Sequence, residues 1–197
     1  MRIVAGKCAG KNLVSPGGRV RPTAENVRDR WLTMLEPDLD GAAILDLFSG
    51  SGALGLEALS RGAAKADFVE NGPSSMHSLK ANVAKFSLKR RTRIFKQDAI
   101  PYVERLPAGT YDIAFADPPY GSRKLDRIVN RWLQVPFCRI LCVEHAREHK
   151  LPQHFLRHKL SQVQVVTMTM TPPHRPHPTT MRRTPRPTVR MSNHKTL

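Results

Sequence analysis

Ile44-Leu45-Asp46-Leu47-Phe48-Ser49-Gly50-Ser51-Gly52-Ala53-Leu54-Gly55 is the stretch on which the fold turns. It starts as a short apolar run and ends in a glycine-rich turn. Leu56-Glu57-Ala58-Leu59-Ser60-Arg61-Gly62 then reads as a helix stopped by a C′ glycine. A buried parallel strand feeding a nucleotide-binding loop has this form. Glycine lets backbone approach a ligand because no Cβ intervenes. The helix start adds unpaired N–H groups and partial positive charge. Gly50, Gly52 and Gly55 also satisfy G-x-G-x-x-G, and Glu70 closes the next apolar run twenty residues past Gly50. A carboxylate there suits the ribose hydroxyls of NAD or of S-adenosylmethionine, and a tight turn that binds nothing would carry the same glycines.

Working outward, strands are expected at 42–48, 66–70, 92–96, 111–116 and 137–143. Helices fall between them, one with Met76, Leu79, Val83 and Phe86 on a single apolar face. Five alternations of strand and helix imply a parallel sheet covered on both faces. Gly50, Glu70, Asp98 and Asp117 each fall at a strand's carboxyl end, where such sheets bind ligands. Upstream, residues 1–20 read as a small β-hairpin or arm broken by Pro16-Gly17-Gly18. A helix at 24–35 follows, N-capped by Thr23 and ended by Pro37.

The 197 residues suit one ordinary domain with short extensions. No apolar run approaches the ~20 residues of a membrane span, and Met1-Arg2-Ile3-Val4 lacks a signal peptide's apolar region. A cytoplasmic location and no membrane partner are the expectations. Cys8, Cys138 and Cys142 form no C-x-x-C pair and read as small core residues, with neither metal nor disulfide expected. The net charge of +16 points to a polyanionic partner. Residues 1–148 hold 23 basic and 16 acidic groups, a net of +7, and no acid follows Glu148. Part of the excess lies in Arg2, Lys7, Lys11, Arg21 and Arg28, which as a group are expected to touch phosphates. For Arg21 and Arg28 a salt bridge to Glu25 or Asp29 is the alternative.

Asp117-Pro118-Pro119-Tyr120 ends the fourth strand. Its chemistry fits an exocyclic amine on a nucleobase, whose lone pair is delocalised into the ring. Asp117 and the Pro118 carbonyl can accept the two N–H groups, turn the lone pair toward an electrophilic methyl and stabilise the developing charge. Successive prolines, Pro118 and Pro119, stiffen the loop and remove competing donors. Tyr120 offers a stacking face for a flipped-out base.

The glycine loop together with Asp117-Pro118-Pro119-Tyr120 resembles class I S-adenosylmethionine-dependent amino-methyltransferases. More narrowly, the chain is similar to the bacterial 16S ribosomal RNA guanine-N2 methyltransferases, the RsmD-like family. Arg2-Ile3-Val4-Ala5-Gly6, Arg21-Pro22-Thr23, Val27-Arg28, the block from Leu45 to Ala63, Val69-Glu70, Asn82, Asp98-Ala99 and Val143-Glu144 carry that likeness over about residues 1–152. The resemblance implies a Rossmann-like α/β fold with S-adenosylmethionine as cofactor and 16S rRNA or the small ribosomal subunit as partner. It implies a monomer that needs no metal. Asp46, Phe48, Gly50 and Gly52 would shape the cofactor pocket. Glu70 would hold the ribose, Asp98 and Ala99 the adenine, and Asp117 to Tyr120 the guanine. Leu32-Thr33 stands where the family usually has Phe-Asn, and Asn71 where a charged residue is common.

The C-terminus departs further. Residues 162–171 alternate well enough for one strand, but Pro172, Pro173, Pro176 and Pro178 forbid the final antiparallel strand such a fold expects. Residues 172–197 have a disordered, basic composition. They read as an RNA-attracting arm or as the product of a shifted reading frame. The expected organisation is thus an N-terminal RNA-binding arm and helix at 1–36, a methyltransferase domain at 37–171 and a tail at 172–197. An adenine-N6 DNA methyltransferase and a catalytically impaired RNA-binding homologue are the alternatives in function.

Overall fold

The computed structural model describes residues 1–17, 25–119, 123–146 and 149, together with the backbone of Gln164–Met170. Six strands form one sheet: β1 (Ala43–Leu47), β2 (Lys65–Glu70), β3 (Thr92–Lys96), β4 (Tyr111–Ala116), β5 (Cys138–Ala146) and β6 (Gln164–Met170). Their spatial order is β3-β2-β1-β4-β5-β6 and every pair is parallel. Helices α1 (Glu25–Met34), α2 (Glu36–Leu39), α3 (Ala53–Ser60), α4 (Pro73–Lys85), α5 (Ala99–Glu104) and α6 (Lys124–Gln134) complete the Rossmann-like arrangement.

Alternation along the strands sorts the core into two layers. Ile44, Phe68, Ile113, Phe115, Ile140 and Cys142 face α1, α3 and α4. Leu45, Leu47, Val69, Ala114, Leu141 and Val143 face α5 and α6. Covering both faces is why these strands read as nearly continuous apolar runs. Cys138 and Cys142 are buried and burial pushes both thiols up, so they serve as core residues and not as nucleophiles.

Two local features differ from the sequence reading. Pro37 does not simply end a helix; it sits in the first turn of α2, where a missing N–H costs nothing. Strand β5 runs on to Ala146 because β6 pairs with it that far, Ala146 opposite Met170. Among the described residues no antiparallel strand joins the sheet. The proline-rich tail at 172–197 lies outside them.

Residues 1–13 pair with themselves, Ile3 donating to the Lys11 carbonyl and Leu13 to that of Met1. They pack onto the end of α3 and do not hang free as an arm. The Ser60 hydroxyl donates to the Ala5 carbonyl (2.6 Å) and accepts from the Cys8 N–H (2.9 Å). At Gly6, φ is +80°, and a Cβ would lie 2.0 Å from the Ser60 carbonyl oxygen, a backbone atom that cannot swing aside. Gly6→Ala is therefore expected to cost about 1–3 kcal/mol, read as a lowered urea midpoint.

Candidate active site

The strand order reverses at β1, which has β2 on one side and β4 on the other. Leu47 is in register with Val69 and with Ala116, and Ala116 with Val143. The next residue on each strand therefore falls in one row along the carboxyl edge: Glu70, Phe48, Asp117 and Glu144. Adjacent strands lie about 4.8 Å apart, so Glu70 and Asp117 flank Phe48 roughly 10 Å from each other. The glycine loop and the Asp117-Pro118-Pro119 segment thus open at the same place.

The loop is built tightly. Phe48 has a left-handed backbone (φ +57°), uncommon for a bulky residue and a mark of a functional turn. The Ser49 hydroxyl donates to the Asp46 carbonyl at 2.6 Å. Gly52 also has positive φ, and a Cβ there would meet Leu79 Cδ1 at 2.5 Å. Packing against α4, as well as backbone freedom, excludes a side chain there. Asn82, buried on α4, donates from Nδ2 to the Ser51 carbonyl (2.9 Å) and so anchors the loop from behind.

Four carboxylates stand around this loop. Asp46 is buried, and its Oδ2 accepts the Gly55 N–H at 2.9 Å. Burial pushes its pKa well up, the Gly55 hydrogen bond pulls it back, and the charges of Asp117 and Glu70 raise it again. Glu70 accepts N–H groups from Gly50 (2.8 Å), Asn71 (2.8 Å) and Gly72 (2.7 Å), which ties strand β2 to the glycine loop. Asp98 caps α5 by accepting the Ile100 N–H at 2.9 Å. Its other oxygen accepts a hydrogen bond from Lys124, the main cause of its lowered pKa. Ala99, the first residue of α5, is buried. Pro118 is buried and Pro119 exposed. Tyr120 lies outside the described residues.

In a chain of net charge +16, a converging set of Asp46, Glu70 and Asp117 is suited to a small cationic ligand. The sign of the Asp46 shift gives a test. A group whose pKa is raised on folding adds stability below its unfolded value, near 4, and loses it as pH climbs through the folded value. Asp98 works the opposite way: its contribution is present above about 4 and is lost as pH falls through its lowered value. Asp46→Asn should flatten the decline of Tm with rising pH above about 4 and raise Tm at neutral pH, while weakening a cationic ligand. Melting curves across pH, with and without ligand, check both.

Of the expected RNA contacts, Arg2, Lys7 and Lys11 are exposed. Arg21 lies outside the described residues. Arg28 is a correction: it is fully buried, with its Nε 3.3 Å from Glu57 Oε2 and a second hydrogen bond to the Arg2 carbonyl. Among the described residues the carboxylate it pairs with is Glu57, and not Glu25 or Asp29. It holds the N-terminal segment to α3 and presents nothing to RNA. Lys124 is a site residue that sequence reasoning missed. Its Nζ lies over the Phe48 ring, 5.6 Å from the centroid, and pairs with Asp98, linking the helix after the Asp117 loop to the end of β3. A lone lysine seven residues past Asp117 carries no periodic or motif signal.

A doubly wound parallel sheet with this acidic row at its switch point is the fold of the Rossmann-like class I methyltransferases. The chain belongs to the family described as Conserved hypothetical protein 95, whose model matches residues 1–170. It is 32% identical over 160 residues to the "Putative rRNA methyltransferase YlbH" of Bacillus subtilis, covering 78% of this chain and 86% of that one. It is 38% identical over 135 residues to the "Ribosomal RNA small subunit methyltransferase D" of Escherichia coli K12, covering 66% of this chain and 65% of that one. Among solved structures, the "Putative methyltransferase yhhF from Escherichia coli" superposes with a TM-score of 0.68 at 32% identity, covering 78% of this chain and 86% of that one.

Proposed function

We propose that this protein transfers a methyl group from S-adenosylmethionine to the exocyclic N2 of a guanine in 16S rRNA, a site of the position-966 type. The observation that carries the reading is the row Glu70–Phe48–Asp117, which sets the glycine loop and the Asp117-Pro118-Pro119 segment side by side. Membership of a family whose named relatives include rRNA methyltransferases supports the substrate class.

The cofactor fits the residues present. It is a small ligand carrying positive charge, and Asp46, Glu70 and Asp117 concentrate negative charge where it would lie. Asp46, Gly50 and Gly52 would hold its amino-acid end, Glu70 its ribose, and Asp98 with Ala99 its adenine. When bound it supplies a methyl on a sulfonium, an electrophile reactive without a metal.

The remaining work falls to this chain. Asp117 and the Pro118 carbonyl accept the two N–H groups of the guanine amine. Fixing both hydrogens aims the nitrogen lone pair out of the ring plane toward the cofactor side of the cleft. As nitrogen gains positive charge, the Asp117 carboxylate offsets it and can take the proton that must leave. Pro119 keeps the loop from adding a competing N–H, and Tyr120 supplies a face for the extruded base.

The reading predicts labelling of 16S RNA or 30S particles by radioactive S-adenosylmethionine and none of duplex DNA. Labelled DNA would instead favour the adenine-N6 reaction. Cofactor binding without transfer to any RNA would favour a lapsed enzyme.

A further inference from the structure

The N-terminal cations are one edge of a larger basic surface. From Asn71 through Gln97 the chain has no Asp or Glu, yet it carries Lys80, Lys85, Lys89, Arg90, Arg91, Arg93 and Lys96. Arg93 pairs with Asp67, and Arg91 is folded back onto the carbonyls of Ala63 and Ala64. Lys85 ends α4, and Lys89 and Arg90 occupy the exposed 3-10 turn that leads into β3. Lys11 joins them from the N-terminal segment, its ammonium 5.9 Å from the Phe86 ring centroid, and Lys85 donates to the Asn12 carbonyl at 2.8 Å. Among the described residues, none of Lys11, Lys85, Lys89 and Arg90 is in an ion pair.

The position of this cluster is informative. Because α4 runs antiparallel to the strands, its last residue lies at the end of the sheet opposite the cleft, about 20 Å away for thirteen residues at 1.5 Å each. The N-terminal segment spans that distance along α4. Asn12 meets Lys85, the Val14 N–H donates to Asn82 Oδ1 at 2.7 Å, and the Ser74 hydroxyl reaches the Gly17 carbonyl at 3.5 Å. Asn82 thus grips this segment and the cofactor loop at once. Two of the four cations are held by packing and hydrogen bonds, so less side-chain freedom is lost when they meet a ligand.

We infer that Lys11, Lys85, Lys89 and Arg90 form a second RNA-backbone site, which anchors phosphates on one side of α4 while the target base enters the cleft at its other end. This rests on the proposed rRNA reading, since a folded polyanion long enough to reach both ends is required. The contact positions RNA and carries no base specificity.

The test is a salt titration of 16S RNA binding by the full chain. Each lost phosphate contact lowers the slope of log K against log salt by about 0.7–0.9. K85Q/K89Q/R90Q is expected to lower that slope by roughly 2 and to weaken RNA about tenfold or more near 0.1 M salt. KM for RNA should rise, with kcat at saturating RNA and S-adenosylhomocysteine affinity unchanged. K89Q/R90Q, which leaves the Lys85–Asn12 contact intact, should show about two-thirds of the same loss. K85R/K89R/R90K, which keeps the charge, should bind as the parent does. A parent protein that methylates RNA while the triple variant keeps its slope would overturn this surface alone. A parent protein that neither binds nor methylates RNA would overturn the surface and the rRNA reading together.

Discussion

Asp117→Asn is expected to reduce kcat on RNA by about 10²–10³-fold, the usual cost of losing one preorganised electrostatic partner of a developing charge. The isostere keeps the size of the side chain and one acceptor oxygen, but it cannot offset positive charge on the amine or take its proton. Cofactor binding should survive, and it should become less pH-dependent. The Asp117 charge is one of the influences that raise Asp46, so its removal brings the Asp46 pKa down. Single-turnover kinetics with saturating RNA, beside a titration with S-adenosylhomocysteine, would separate the two effects. A variant that loses cofactor affinity and keeps its turnover would place Asp117 in the wrong half of the cleft.

The second large effect concerns stability. Glu57 on α3 is fully buried and is the hub of the N-terminal attachment. It accepts the N–H groups of Val4 (2.9 Å) and Ala5 (2.8 Å) and is 3.3 Å from Arg28 Nε and 3.1 Å from Arg61 Nη2. Arg28 is wholly buried, and Arg61 nearly so, with a second partner in Asp29 at 2.6 Å. Glu57→Ala leaves one guanidinium buried without its carboxylate and two backbone N–H groups without acceptors. The expected loss is about 3–5 kcal/mol, large against the ~5–15 kcal/mol that holds an ordinary domain. Denaturant unfolding would measure it. Adding Arg28→Met should restore part of the loss, because the stranded charge goes with it. If Glu57→Ala unfolds at the parent's midpoint, the cluster does not hold the segment.

Much of the fold was legible because β1, β2, β4 and β5 are buried on both faces. The stretches at 66–70 and 111–116, and the more polar edge stretch at 92–96, match the observed strands within a residue. Parallel pairing then placed Glu70 and Asp117 on either side of Phe48, as strand ends that follow a doubly wound order must be. What could not be read were contacts between residues distant in sequence. Arg28 looks like one more exposed cation until α3 brings Glu57, twenty-nine residues on, against it. Lys124 reaches Asp98 only because α5 and α6 pack together on one face. Pro37 marks a helix start as readily as a helix end, and local sequence does not choose between them. The length of β5 depends on a partner strand that begins eighteen residues beyond its end.

The most direct test of the account is mass-spectrometric mapping of the nucleoside that gains label when the protein, S-adenosylmethionine and 16S RNA or 30S particles are incubated together. One N2-methylguanosine, formed about 10²–10³-fold more slowly with Asp117→Asn, is the predicted result. Label on adenine N6, or a guanine product that Asp117→Asn forms at the parent's rate, would contradict it.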